Sequence, residues 1–319
     1  MDEKYVCHRL RREFDKVGLI LVLYYLLMTF MVFAALLMQQ VFLTIRLGDV
    51  STEILQEKMT SNGWGYILTI AVGFAILLIW KKPRFCLKTI WKQDRSMTLG
   101  DFLMLLCVFL SGQALFTVFS MLLEFLSNLM GFSINESIES ASGLGDSVTL
   151  FLYGCILAPV FEEVLFRGLL LRMMEPYGKK FAVFATALLF GLFHANIVQS
   201  PFAFVVGLVL GYVTVEYSML WAVVLHMINN LILGDSMYRL FSLLPGWAGE
   251  LGYFLIIWGS AVAAIVILIL KRKQIASYFR TGKIHPLCLK SFFTSPALVI
   301  FNVLMILNIL VILVLPILL

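Results

Sequence analysis

The chain has 319 residues, of which 61% are hydrophobic and 13% charged, with a mean hydropathy of +0.96. A soluble domain is nearer half apolar and a quarter charged, so this composition excludes one and indicates a polytopic integral membrane protein. The five cysteines, Cys7, Cys86, Cys107, Cys155 and Cys288, are an odd and scattered set. They show no Cys-x-x-Cys spacing, which argues against a disulfide framework or a thiolate metal site.

In chain order, nine apolar segments are long enough to cross a bilayer core of about 30 Å. They are residues 17–38, 64–80, 99–126, 148–172, 181–198, 201–217, 218–234, 250–270 and 296–319. The first follows Lys4, Arg9, Arg11, Arg12 and Lys16 like a signal peptide, but it is too long and lacks an Ala-x-Ala site. It reads as a retained helix. Spans six and seven are separated only by a short polar break at Glu216-Tyr217-Ser218. Pro176-Tyr177-Gly178 and Pro245-Gly246 are turn signals between spans. Gly207-x-x-x-Gly211 permits close helix approach. The expected fold is an all-α, polytopic transmembrane helix bundle of about nine spans.

Charge placement orients the bundle. Under nine spans, twenty of the 24 basic residues fall on one side: the N-terminal tail, residues 81–98, Arg172 with Lys179 and Lys180, and residues 271–295. Arg46, Lys58 and Arg239 fall on the other, and Arg167 lies inside a span. The positive-inside rule then predicts a cytoplasmic N-terminus. The net charge of +5 is therefore topology, with no nucleic-acid partner implied. The 131–147 loop, with Glu136, Glu139 and Asp146 but no Lys or Arg, suits the outer face.

Within span four, Glu162 and Glu163 sit side by side, with Arg167 one turn on. Ionisable groups at membrane depth cost roughly 3 kcal/mol each or more, so they indicate a functional site. Glu163 and Arg167 share a helix face and can pair. Glu162 points about 100° away and stays free for chemistry. Two of the four histidines also lie in apolar spans: His194, four residues after Phe190, and His226, four before Asn230. At 1.5 Å per residue, Glu162, His194 and His226 lie roughly 15, 20 and 12 Å from the basic-side ends of their spans, near one level. Phe190 reads as packing around His194, and Cys155 as a small core residue.

Other intramembrane protease patterns fail. There is no His-Glu-x-x-His, and Ser142-Gly143 supplies only part of a rhomboid-type Gly-x-Ser-Gly. Gly143-Leu144-Gly145-Asp146 matches the Gly-x-Gly-Asp of aspartyl intramembrane proteases, but it lies in a polar loop with no second aspartate opposite and reads as turn chemistry.

The strings Glu162-Glu163-x-x-x-Arg167, Phe190-x-x-x-His194 and His226-x-x-x-Asn230 resemble the three motifs of the CPBP family. These are the CAAX prenyl protease and bacteriocin-processing intramembrane proteases, also called Abi. The resemblance covers about residues 148–234, flanked by a tail with three spans (1–147) and by two C-terminal spans with a basic cytoplasmic loop (235–319). It implies an intramembrane endopeptidase acting on a membrane-associated peptide or lipidated protein, of CAAX, bacteriocin or pheromone type, in a bacterial cell membrane. It further implies that Glu162 and His194 activate a water, that His226 and Asn230 hold the oxyanion, and that Glu163 and Arg167 are supporting residues. No cofactor is required on this reading. Glu162, His194 and His226 could ligate zinc, but no carboxylate beyond Glu163 is placed to orient the histidines, which favours the metal-free route. The alternatives are a proton-coupled transporter, against which no inverted repeat is visible, and a catalytically silent membrane protein that binds a partner or confers immunity.

Overall fold

The computed structural model describes residues 3–48, 51, 61–80, 90–142, 147–233, 241 and 243–318. The Gly143–Asp146 string, Cys86, Lys58, Arg239 and four basic residues of the 81–98 loop (Lys81, Lys82, Arg84, Lys88) lie outside these. The described residues are mostly helical, with no strand among them. Twelve helices follow in order: α1 (Glu3–Leu47), α2 (Trp64–Trp80), α3 (Leu99–Leu129), α4 (Asn135–Ser142), α5 (Val148–Tyr177), α6 (Lys179–Phe193), α7 (Gln199–Glu216), α8 (Met219–Leu233), α9 (Gly246–Leu270), α10 (Arg272–Arg280), α11 (Pro286–Phe293) and α12 (Pro296–Leu318).

Every expected span overlaps one of these helices. Six of them (α1, α3, α5, α7, α9 and α12) are long and apolar enough to cross a membrane; α2 and α8 are shorter apolar helices. α1 swallows the basic tail as well as the first span, and α5 runs on past residue 172 to Tyr177. Gly178, at φ 121°, then ends that helix in a conformation open to glycine. Span five is shorter than the apolar run suggested. α6 stops at Phe193, because Ala195 adopts a left-handed φ of 48°. Asn196 Oδ1 then accepts from the backbone N–H groups of Val198 and Gln199, which starts α7. Asn196 also donates to the Ser137 carbonyl at 2.9 Å, tying α4 over this turn.

The fold-back is possible because Gly191 has no side chain. A Cβ there would sit 2.7 Å from the Ser200 carbonyl oxygen and 2.9 Å from Phe204 Cβ. Further along the same seam, a Cβ on Gly207 would lie 3.2 Å from Ala187 Cα, so the Gly207/Gly211 stripe does pack against α6. The main core joins α1 (Phe14, Val17, Leu21), α5 (Phe161, Leu165, Phe166), α6 (Phe181, Ala185, Phe190) and α12 (Leu298, Phe301, Met305). α3 packs against α7, α8 and α9.

The basic segments meet at one end. Phe14 touches Tyr177, Phe181 and Phe292, and Arg11 donates to Thr294. Lys179 pairs with Asp94 at 3.6 Å, Arg172 reaches the Lys92 carbonyl, and Lys180 donates to the Tyr278 and Thr281 carbonyls. Burial pushes the Asp94 carboxyl up, but the Lys92 hydrogen bond and the charges of Lys179, Lys92 and Arg172 hold it below the usual carboxylate range.

Gly191→Val should lower the melting temperature in detergent, with overpacking costing about 1–3 kcal/mol. Gly259→Ala, where a Cβ meets nothing within 4 Å, should leave it unchanged or raised. Equal melting of both variants would contradict the close α6–α7 seam.

Candidate active site

The site is built around an irregular stretch of α5. Residues Tyr153–Leu157 and Val164–Leu170 form wide π turns on either side of the regular segment Ala158–Glu163; such turns often mark functional sites. The first has a cause in the sequence. In it the Ala158 N–H bonds to the Tyr153 carbonyl, five residues back. The same register would give the Gly154 carbonyl to residue 159, which is proline and has no N–H. That carbonyl accepts instead from Asn230 Nδ2, at 2.9 Å.

Glu163 and Arg167 are fully buried, and Arg167 Nη1 donates to Glu163 Oε1 at 2.9 Å. Arg167 Nη2 donates to the Gly207 carbonyl at 3.3 Å; a Cβ on Gly207 would stand 3.2 Å from that nitrogen, which glycine avoids. The guanidinium lies 4.2 Å over the ring of Phe190, a cation–π contact of the kind that strengthens where water is excluded. The same Glu163 oxygen meets His226 Nδ1 at 2.9 Å. An ion-paired carboxylate only accepts, so Nδ1 is the donor and Nε2 is the ring nitrogen left to face the site. Glu163 therefore holds a cation from its own helix and a histidine from α8. Glu163 Oε2 and Arg167 Nε are buried without partners, so the arrangement is not an optimised ion pair.

Glu162 differs from its neighbour in exposure: its side chain is 24% exposed, against 0% for Glu163. Its Oε2 lies 3.7 Å from His226 Nε2, too far for a hydrogen bond; the two would pair as charges only with His226 protonated. His194 caps the end of α6 and its Nδ1 bonds the Phe190 carbonyl at 2.8 Å, which leaves Nε2 free of that bond. Glu162 and His226 act on His194 electrostatically. Phe190 is edge-on to both imidazoles, with centroids at 4.7 Å for His194 and 5.8 Å for His226. It is the packing centre between the two histidines and Arg167.

The six residues singled out in the sequence (Glu162, Glu163, Arg167, His194, His226 and Asn230) thus come together from α5, α6 and α8. Others were missed. Tyr24 of α1 and Tyr153 lie within electrostatic reach of Glu162, and Tyr24 packs on Phe161 and Phe193. Asn229 donates to Asn230 Oδ1 at 3.2 Å, and Gln113 of α3 donates to Asn229 Oδ1 at 2.7 Å. A polar amide inside an apolar span was the available signal for Gln113 and Asn229. Each histidine has Nδ1 engaged, by the Phe190 carbonyl or the Glu163 carboxylate, which leaves each Nε2 to serve as an acceptor or as a ligand; among the described residues no group of three His, Cys, Asp or Glu side chains is placed to hold a metal ion.

Residues 145–232 match the family described as type II CAAX prenyl endopeptidase, Rce1-like. This is the CPBP/CAAX protease family that the three motifs resemble, and the matched stretch contains all six residues. No curated protein and no solved structure gives a significant match.

Arg167→Ala leaves Glu163 without its cation and should cost roughly 3–5 kcal/mol, as breaking a buried pair does. Poor expression and a lower melting temperature in detergent are expected, partly recovered in the double variant with Glu163→Gln. Unchanged melting of the single variant would contradict the buried pair.

Proposed function

We propose that this chain, whose residues 145–232 match the CPBP/CAAX protease family, is an intramembrane endopeptidase with Glu162 as its general base. The matched family is a protease family, which supports a peptidase acting on a membrane-associated peptide or protein. The chain hydrolyses CAAX-type or bacteriocin- and pheromone-type substrates by an activated water, with residues 148–234 as the catalytic core. Our reading of the topology keeps nine spans with the basic, N-terminal end in the cytoplasm of a bacterial cell. The contact of the basic segments at one end of the bundle supports it.

One observation carries the mechanism: of two adjacent carboxylates, Glu163 is fully buried with its Oε1 held by Arg167 and His226, and Glu162 is partly exposed beside His226. Glu162, with His194 Nε2 as second acceptor, takes a proton from water as its oxygen attacks the scissile carbonyl. The carbonyl π bond opens and the electron pair moves to the oxygen. Asn230 Nδ2 gives one N–H to Gly154 and has a second for that oxyanion. His226 gives Nδ1–H to Glu163, so it donates through Nε2 only as an imidazolium, with Glu162 and Glu163 as its counter-charges. Collapse of the tetrahedral intermediate breaks the C–N bond, and protonated Glu162 returns its proton to the leaving amine.

Glu162→Gln should fold and insert normally yet lose cleavage of a prenylated Cys-aliphatic-aliphatic-X peptide in liposomes, by about 10²–10⁴-fold. Cleavage at the wild-type rate would remove Glu162 from the mechanism; no cleavage by the wild-type chain of prenylated or unprenylated membrane peptides would overturn the peptidase reading.

Chelators should leave the wild-type rate intact. Stoichiometric zinc in an active preparation, lost together with activity on chelation and restored with it, would contradict the metal-free route.

A further inference from the structure

The amides of Gln113, Asn229 and Asn230 form one directed chain, and its direction has a fixed origin. The Gly154 carbonyl can only accept, so the Asn230 atom that meets it at 2.9 Å is Nδ2. Asn230 Oδ1 must then face the other way, where Asn229 Nδ2 donates to it at 3.2 Å. Asn229 Oδ1 is in turn left to accept from Gln113 Nε2 at 2.7 Å. Each link fixes the orientation of the next amide, and donors aligned head to tail strengthen one another in a medium of low dielectric. Gln113 and Asn229 are both buried.

We infer that Gln113 and Asn229 are positioning residues of the active site: they hold the Asn230 amide with its nitrogen towards the reacting carbonyl and its oxygen away. Without Asn229 on Oδ1, the Asn230 amide is held only through its bond to the Gly154 carbonyl and can swing about it. Its second N–H is then no longer aimed at the developing oxyanion. Gln113 completes the chain from α3, a helix outside the matched residues 145–232, so the site draws on part of the chain that carries none of the motifs. This inference rests on the reading of Asn230 as an oxyanion donor.

The test is cleavage of a prenylated Cys-aliphatic-aliphatic-X peptide by the purified full-length chain in liposomes. The variants are Gln113→Met, Asn229→Ala and Asn230→Ala, with Gln113→Met also made in the Asn230→Ala background. Gln113→Met keeps the side-chain length and removes the donor; Asn229→Ala breaks the chain one link nearer the site, should the first variant fold poorly. Each should lower the kcat of the folded enzyme by roughly 10–100-fold, as loss of an outer hydrogen-bond partner does at metal sites, with KM unchanged. Asn230→Ala should lower kcat by about 10²–10³-fold, and adding Gln113→Met to it should cost nothing further. A residue that merely ties α3 to α8 would lower stability but leave the kcat of the folded enzyme unchanged, in both backgrounds alike. Full kcat in Gln113→Met and Asn229→Ala beside an impaired Asn230→Ala overturns the inference alone, as does an additive loss in the double variant. Full kcat in Asn230→Ala overturns the reading of Asn230 and the inference with it.

Discussion

The site depends on one buried carboxylate, Glu163, whose Oε1 accepts from Arg167 and His226 together. An arginine in this environment needs a counter-charge, and a buried carboxylate needs donors. Meeting both demands fixes four helices at once. Arg167 reaches α7 through the Gly207 carbonyl, His226 brings in α8, and Phe190 of α6 lies under the guanidinium. Buried pairs as a rule add little net stability, but breaking one strands a charge, so few arrangements of these four helices satisfy both groups.

That commitment is what separates two neighbouring glutamates. Consecutive residues on a helix point about 100° apart, so a single turn of α5 directs Glu163 into the bundle and Glu162 to its partly exposed side. The same helix is unusual twice over. Pro159 withholds the N–H that the π register would send to Gly154, and Asn230 takes up the orphaned carbonyl. A proline three residues before Glu162 thus reaches α8 through one hydrogen bond, and through Asn229 it reaches α3 as well.

Much of this was legible in the sequence because hydropathy and charge are local signals. Each apolar run became a helix, and the carboxylates, histidines and Asn230 could be gathered from three motifs by face and depth. The end of α6 was not legible: the run from 181 to 198 is apolar enough to continue, and the break depends on a left-handed Ala195 and on Asn196 side-chain bonds. The π turns were hidden because facing was judged from regular three- and four-residue spacing. Glu163 was matched with Arg167 on its own helix, whereas its second partner, His226, is 63 positions away. Tyr24 and Gln113 lie farther still, and no periodicity links them to Glu162 or Asn230.

The central claim is that Glu163 orients His226 through Nδ1 and so leaves Nε2 for the substrate. The most direct measurement is nitrogen-15 solid-state NMR of histidine-labelled protein in bilayers, with the His226 signals assigned from a His226→Gln variant. A protonated Nδ1 in contact with the Glu163 carboxyl carbon is expected, with loss of that contact in Glu163→Gln. An unprotonated Nδ1, or a His226 ring with no contact to Glu163, would contradict it.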